Sequence, residues 1–288
     1  MLQTFKRILR FFMPDEINPN IHFLFPEDID EVNVLYWCTS VLLHDFASVS
    51  SNLTRLEHCK ADKSPKHEFL VAYITLDTNG TKRRTCMIID RSPAIEVEPF
   101  EPFEPSLTVQ KTQSLSSLIS SPSAVSSTSS LSPSQSTERL KAILGQGGSV
   151  AATDRIVIPS FRRHDGILTL AKGKFGSYKV LNTLDVREGQ MSAPQLATVL
   201  KIVHNLAPNY TLRKHQCYWF ALLVFLVVRR KTGGHESNSD TIVKRGTLYG
   251  LKPEHSAGDD EMVAMEEYER AWTQFLTVQQ VSHLNLVR

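Results

Sequence analysis

The residues best suited to covalent chemistry in this chain are a cysteine and a histidine that lie far apart in the sequence. Cys217 directly precedes the apolar run Tyr218–Val228, which predicts a buried helix. Backbone N–H groups and the positive end of the helix dipole stabilise a thiolate at a helix start. Arg213, Lys214 and His215 add positive charge nearby. The position therefore predicts a cysteine nucleophile.

His67 is the predicted general base, and Asp90 is the residue predicted to orient it. His67 opens the predicted strand 67–76, which the turn Asn79-Gly80 connects to a return strand, 82–90. In a two-residue or a four-residue loop, Asp90 lies on the face of His67, either opposite it or one pair away. A carboxylate in that place holds the imidazole in the tautomer that a base requires.

Several other residues allow different interpretations. Cys217 has an alternative interpretation as a small core residue, because cysteine is often buried. His164 is a second-choice base ahead of a predicted strand, and Cys38 is the nucleophile of an unpermuted papain-like alternative. His204 is predicted to be structural. His215 does not face Cys217, because residues two positions apart point to different sides of a helix.

Composition narrows the class of protein and its surroundings. The chain has 288 residues, of which 41% are hydrophobic and 22% charged, and a net charge of +2, which predicts a globular protein and no dedicated nucleic-acid binder. The cysteines form no C-x-x-C pair, which argues against a zinc knuckle and a thioredoxin-type motif. The longest apolar run has 11 residues, and Met1–Met13 lacks a signal-peptide cleavage site. We therefore expect no transmembrane segment and an intracellular, cytoplasmic location.

A serine-rich segment divides the chain. Thirteen of the 23 residues from Ser114 to Ser136 are serine, and an acidic proline-rich stretch precedes them. Such a segment buries too little apolar surface to offset its ordering entropy, so residues 97–150 are predicted to be a disordered insertion. Residues 1–96 and 151–288 are then the two halves of one domain. The insertion is where we expect protein partners to bind.

The flanking segments predict an α+β fold with an antiparallel sheet packed against helices. Both faces of the strand 67–76 are apolar, which predicts a sheet covered on both sides. Further elements are predicted from periodicity and capping signals. They are a helix at 32–47, strands at 155–159, 167–171 and 178–184, a helix with a capping box at Ser192, a helix ending near Lys231, and a helix over 259–281.

The segment around the cysteine resembles a known pattern. Residues 207–221 read APNYTLRKHQCYWFA, which is similar to A-P-x-Y-x-L-x(3)-N-C-Y-W-F/Y-A in uncharacterised proteins of mushroom-type fungi. Those proteins also show a His-Glu-led strand and a strand ending in Asp-Arg, matched here by His67-Glu68 and Asp90-Arg91. The Asn-Cys-x-x-Phe core resembles circularly permuted papain-like enzymes, the lecithin:retinol acyltransferase-like and NlpC-type group. Here Gln216 replaces the asparagine before Cys217.

The resemblance implies a permuted papain-like fold and acyl transfer on an amide or ester. Cys217 is then the nucleophile, His67 the base, Asp90 the orienting residue and Gln216 an oxyanion or positioning residue. No cofactor is implied. The alternative function is a non-catalytic α+β interaction module, with a papain-like or an unrelated fold.

Overall fold

The computed structural model describes residues 23–43, 51–62, 66–78, 81–94, 148–160, 166–211, 214–238 and 256–286. The predicted insertion falls outside these residues except for its last three positions, and the last of them, Val150, begins a strand. The amphipathic segment Met1–Met13 also lies outside them.

Eight strands are described, and they belong to one antiparallel sheet. Their bounds are β1 Asp30–Asn33, β2 Ser51–Ala61, β3 Glu68–Thr78, β4 Thr81–Pro93, β5 Val150–Ile158, β6 Tyr178–Asp185, β7 Asn209–Tyr210 and β8 His235–Asn238. The strand order is β1-β5-β4-β3-β2-β6-β8, and the short β7 pairs with β5. Strands from both predicted halves of the domain therefore form one sheet, in which β5 of the second half lies between β1 and β4 of the first.

Five helices are described, and they cover the sheet on both faces. Their bounds are α1 Val34–Leu43, α2 Gly166–Phe175, α3 Ala193–Leu206, α4 Cys217–Thr232 and α5 Ala257–Leu286. The larger core joins one sheet face to α1, α3, α4 and α5, and a smaller cluster joins the other face to α2. The chain therefore has the expected α+β architecture. In the described part of the chain, no helix is both long and apolar enough to cross a membrane.

The β3–β4 hairpin has the register of a two-residue loop. Thr78 pairs with Thr81, and Phe69 pairs with Asp90. The turn residues Asn79 and Gly80 themselves lie outside the described residues. Because side chains alternate between faces, Asp90 lies on the same face as His67 and one pair away from it, as one of the two predicted registers requires.

One predicted strand is wrong. Residues 167–171 belong to α2 rather than to a strand. Ile167 and Ala171 are the buried side chains, and a spacing of four places them on one face of a helix. The short apolar run fits both the strand and the helix periodicity, and its packing against the sheet favours the helix.

Other predicted elements were confirmed, most with shifted ends. The strand predicted at 178–184 is β6, and the strand at 155–159 is the last part of β5. The helix predicted at 32–47 begins only at Val34, because β1 extends to Asn33. Four strands were missed, β1, β2, β7 and β8. Within β2 the side chains of Ser51, His58 and Lys60 are polar yet buried.

The ends of α3 and α4 follow from local sequence signals. Ser192 caps α3, where its side chain accepts a hydrogen bond from the backbone N–H of Gln195, and the Gln195 side chain accepts one from the backbone N–H of Ser192. Gly233 ends α4 in the left-handed region, with φ of 56°, which glycine adopts without a steric penalty.

We predict that Ser192→Ala lowers the free energy of unfolding by about 1 kcal/mol, because the substitution removes one half of the capping box. Ser192→Asp keeps an acceptor at the same position and should retain most of the stability. Urea denaturation followed by circular dichroism measures both. Equal stability of the alanine variant and the parent chain would contradict the capping role.

Candidate active site

Cys217 is the first residue of α4, as its position before the apolar run predicted. Gln216 is the N-cap residue and has an extended backbone, and its carbonyl accepts the first helical hydrogen bond from Phe220 N–H at 3.1 Å. The backbone N–H groups of the first turn and the positive end of the helix dipole therefore lie beside Cys217. Cys217 is also buried, with only 2% of the residue exposed.

The structure brings His67 and Cys217 together. The two side chains share a hydrogen bond. His67 directly precedes β3, and its carbonyl accepts a hydrogen bond of 2.8 Å from Ala61 N–H on the neighbouring strand. Its ring stacks on Phe175 of α2, with 5.0 Å between the ring centroids. The ring is thus fixed at the rim of the sheet, facing the start of α4.

The electrostatics of the pair favour a thiolate beside an imidazolium. Burial alone raises the pKa of Cys217, but the charge and hydrogen bond of His67 and a hydrogen bond from the Glu68 backbone N–H outweigh it and hold that pKa below its ordinary value. Burial alone lowers the pKa of His67, but the charges and hydrogen bonds of Cys217 and Asp90 raise it to about 10. The proton therefore resides on His67 at neutral pH.

Asp90 completes the group at the far side of the imidazole. Its Oδ2 lies 3.5 Å from Nε2 of His67, and its side chain is 1% exposed. Burial raises the pKa of Asp90, but the close contact and charge of His67, with the charges of Lys174 and Arg155, hold that pKa below its ordinary value. The carboxylate therefore stays ionised and is positioned to orient the ring.

Two cations on the same sheet face partly neutralise this carboxylate. Arg155 lies 3.2 Å from Oδ2 of Asp90, and Lys174 lies 3.8 Å from Oδ1. Both cations also contact Glu31 on β1 at 3.2 Å. Asp90 therefore contacts an arginine and a lysine as well as His67.

Glu68 ties the site to the opposite face of the sheet. Its backbone N–H hydrogen-bonds the sulfur of Cys217. Its buried carboxylate lies 2.8 Å from Lys60 Nζ and 2.9 Å from His58 Nε2. Burial raises the pKa of Glu68, but His58 and Lys60 outweigh it and lower that pKa. This anchored side chain fixes the backbone N–H that supports the thiolate.

A second buried ion pair joins β4 to β5 beneath the first turn of α4. Arg91 donates from Nε and a terminal nitrogen to the two carboxylate oxygens of Asp154, at 2.6 and 2.7 Å. The ring of His204 lies 2.6 Å from the same carboxylate, in the structural role predicted for it. The guanidinium lies 5.3 and 4.8 Å from the ring centroids of Trp219 and Phe220, in the first turn of α4.

The remaining sequence candidates lie elsewhere or take other contacts. Gln216 is buried beside Cys217, its side chain makes no capping hydrogen bond, and in the described part of the chain its Oε1 has no hydrogen-bond partner. Cys38 lies in the core, where burial raises the pKa of its thiol. His215 contacts the edge of Trp219. His164 and Arg213 lie outside the described residues.

Sequence reasoning assigned no role to three side chains that contact the site. Tyr210 hydrogen-bonds Cys217, Phe175 supports the His67 ring and Lys174 approaches Asp90. A signal existed for Tyr210, which is the tyrosine of the A-P-x-Y pattern. The other two lie in the last turn of α2, beyond the segment 167–171 that was predicted as a strand. Among the described residues, no group of three or more histidine, cysteine or acidic side chains is placed to hold a metal ion.

Comparison with known proteins identifies no relative from which a function could be inferred, so the function is argued from the geometry of the site. No family model, curated protein or solved structure matches the chain.

We predict that iodoacetamide alkylates Cys217 at pH 6 at least 100-fold faster in the parent chain than in His67→Ala. An unperturbed thiol is roughly 0.3% ionised at that pH, whereas the ion pair keeps Cys217 as thiolate. Asp90→Asn should lower the pKa of His67, so that His67 loses its proton, and the ion pair is lost, at a lower pH than in the parent chain. Peptide mass spectrometry over a pH series measures the rates.

Cys86 is the internal control for this labelling. Burial and the charge of Glu57 raise the pKa of Cys86 to about 11, so its alkylation at pH 6 is slow. Cys217 labelling no faster than Cys86 would contradict the thiolate.

We predict that Asp154→Ala lowers the free energy of unfolding by about 3–5 kcal/mol, because Arg91 is left buried without its counter-charge. The matched control is Asp185→Ala, which breaks the exposed Arg55–Asp185 pair and should cost at most about 1 kcal/mol. Urea denaturation of the two variants measures the difference. Similar losses would contradict the anchoring role of the buried pair.

Proposed function

We propose that this protein is a cysteine-dependent hydrolase or acyltransferase that acts on an amide or an ester. The observation that carries the proposal is the contact between Cys217, at a helix start, and His67, at the rim of the sheet. Asp90 lies behind the imidazole in the place of an orienting carboxylate. The roles are nucleophile, general acid and base, and orienting residue.

The proposed reaction has two halves. The Cys217 thiolate forms a bond to the carbonyl carbon, and the carbonyl oxygen takes up the negative charge. This intermediate collapses as the bond to the leaving nitrogen or oxygen breaks, and His67 gives its proton to that atom. The resulting thioester is attacked by water or by an acceptor, whose proton returns to His67 as the thiolate departs. Backbone N–H groups at the start of α4 stabilise the oxyanion.

The chain order supports a permuted papain-like fold as part of this proposal. The histidine strand precedes the cysteine helix in the sequence, and both belong to an α+β unit whose sheet packs against α4. This order is the one that the resemblance of the Cys217 segment implies. The replacement of asparagine by Gln216 leaves a side-chain amide at the N-cap, beside the nucleophile.

A non-catalytic interaction module is the second candidate function. The observation that favours it is the burial of the sulfur, because Cys217 is only 2% exposed and His67 is the more accessible partner, with 18% of its side chain exposed. A substrate must therefore reach the sulfur past side chains that cover it. Turnover of a small ester separates the two candidates.

We predict that the parent chain hydrolyses p-nitrophenyl acetate and that Cys217→Ala abolishes the enzyme-dependent rate. His67→Ala should lower kcat/KM by about 10²–10⁴, because the variant lacks both the acid and the base. Release of p-nitrophenolate, followed by absorbance, measures the rates. Mass spectrometry of the quenched reaction should detect an acetyl group on Cys217.

Cys59→Ala is the matched control, since Cys59 is a buried cysteine on the sheet whose thiol pKa is raised by burial and the charge of Glu57. This variant should hydrolyse the ester at the parent rate. Ester hydrolysis that survives Cys217→Ala, or a folded parent chain that forms no acetyl-Cys217, would refute the enzymatic proposal and favour the interaction module.

A further inference from the structure

Tyr210 is a buried tyrosine whose hydroxyl reaches the reacting cysteine. It lies on β7, and it pairs with Val150 of β5. Ala152 N–H donates to the Pro208 carbonyl at 2.9 Å, which extends the same attachment. Only 5% of Tyr210 is exposed. The pairing of β7 with β5 thus holds the phenol ring beside Cys217.

The phenol contacts two atoms of Cys217. Its hydroxyl hydrogen-bonds the sulfur, and its oxygen accepts a hydrogen bond from the backbone N–H of Cys217. Burial, and the neighbouring charge and hydrogen bond of Cys217, raise the pKa of Tyr210 well above its ordinary value. The hydroxyl therefore keeps its proton, and it remains a hydrogen-bond donor throughout the neutral pH range.

The place of this hydroxyl matters because of where charge develops in acyl transfer. When Cys217 attacks a carbonyl carbon, the carbonyl oxygen lies about 3 Å from the sulfur and requires donors at about 2.7–3.1 Å. A donor that already contacts the sulfur needs only a rotation about its C–O bond to reach that oxygen. The Cys217 N–H polarises the same hydroxyl, and hydrogen bonds in such a chain strengthen one another.

We propose that Tyr210 is a catalytic residue, which donates its hydroxyl hydrogen to the oxyanion formed when Cys217 attacks an acyl substrate. This inference rests on the proposed acyl-transfer function. In the resting site the hydroxyl donates to the thiolate. As the S–C bond forms and charge moves to the carbonyl oxygen, the same hydrogen turns to that oxygen. Tyr210 transfers no proton, and the hydrogen bond returns to the sulfur when the intermediate collapses.

Two reactions of the Cys217 sulfur distinguish stabilisation of the oxyanion by Tyr210 from stabilisation of the thiolate. Acylation by p-nitrophenyl acetate passes through an oxyanion, whereas alkylation by iodoacetamide displaces iodide and forms none. At roughly pH 9.5, above the ordinary thiol pKa, Cys217 is a thiolate with or without Tyr210. A loss confined to acylation therefore reports on the oxyanion.

We predict that Tyr210→Phe lowers the acylation rate about 100-fold or more, as loss of one oxyanion donor does, and changes the alkylation rate less than threefold at that pH. Two control variants should keep both rates. Asn209→Ala changes the exposed neighbour on β7, and Tyr36→Phe removes the hydroxyl of an exposed tyrosine. Stopped-flow absorbance and mass spectrometry measure the two reactions.

The outcomes are distinct. Unchanged acylation in Tyr210→Phe, or equal losses in acylation and alkylation, would overturn the oxyanion role while leaving Cys217 as nucleophile. A parent chain that is alkylated but never acylated would instead overturn the proposed function itself. Should Tyr210→Phe fail to fold, 3-fluorotyrosine at position 210 keeps a more acidic hydroxyl. Acylation at or above the parent rate would support the role, and slower acylation would overturn it.

Discussion

The buried ion pair between Arg91 and Asp154 is the constraint on which the geometry of the site depends. Arg91 is completely buried, and its guanidinium lies against Trp219 and Phe220 while it binds Asp154 through two hydrogen bonds. Because a buried charge without its partner costs several kcal/mol, the pair fixes β4 against β5 beneath the first turn of α4. Cys217 lies two residues before Trp219, so the packing of Trp219 and Phe220 on the Arg91 guanidinium also restricts the position of the sulfur.

The alternation of side chains along a strand joins this anchor to the site. Asp90 and Arg91 are consecutive on β4, and they point to opposite faces, one toward His67 and the other under α4. His67 and Glu68 divide in the same way, since Glu68 anchors on Lys60 and His58. A slip of one residue in the hairpin would exchange both pairs, so the register is fixed from both faces of the sheet.

Local signals in the sequence predicted the parts of this arrangement that depend on local geometry. The helix start at Cys217, the capping box at Ser192 and the parity of the β3–β4 hairpin each follow from a few neighbouring residues. Strand β2 was missed because its buried polar residues find partners on other strands: Lys60 pairs with Glu68 and Asn182 lies opposite His58. Such residues resemble a surface loop until the partner strand is known. The prediction of a strand at 167–171 was wrong for a related reason. Its apolar residues fit both a helical and a strand periodicity, and only contact with the sheet selects the helix.

Stability alone does not account for the pairing of Cys217 with His67. Replacing a buried ion pair by apolar side chains is often neutral or stabilising, because desolvation consumes much of the attraction between the charges. The Arg91 and Glu68 clusters have a mechanical consequence, since both fix backbone or helix positions that the site uses. The pair of Cys217 and His67 is held by Asp90, Phe175 and the Glu68 N–H. A buried charged pair that the surrounding structure holds in this way is the arrangement that the proposed acyl transfer requires.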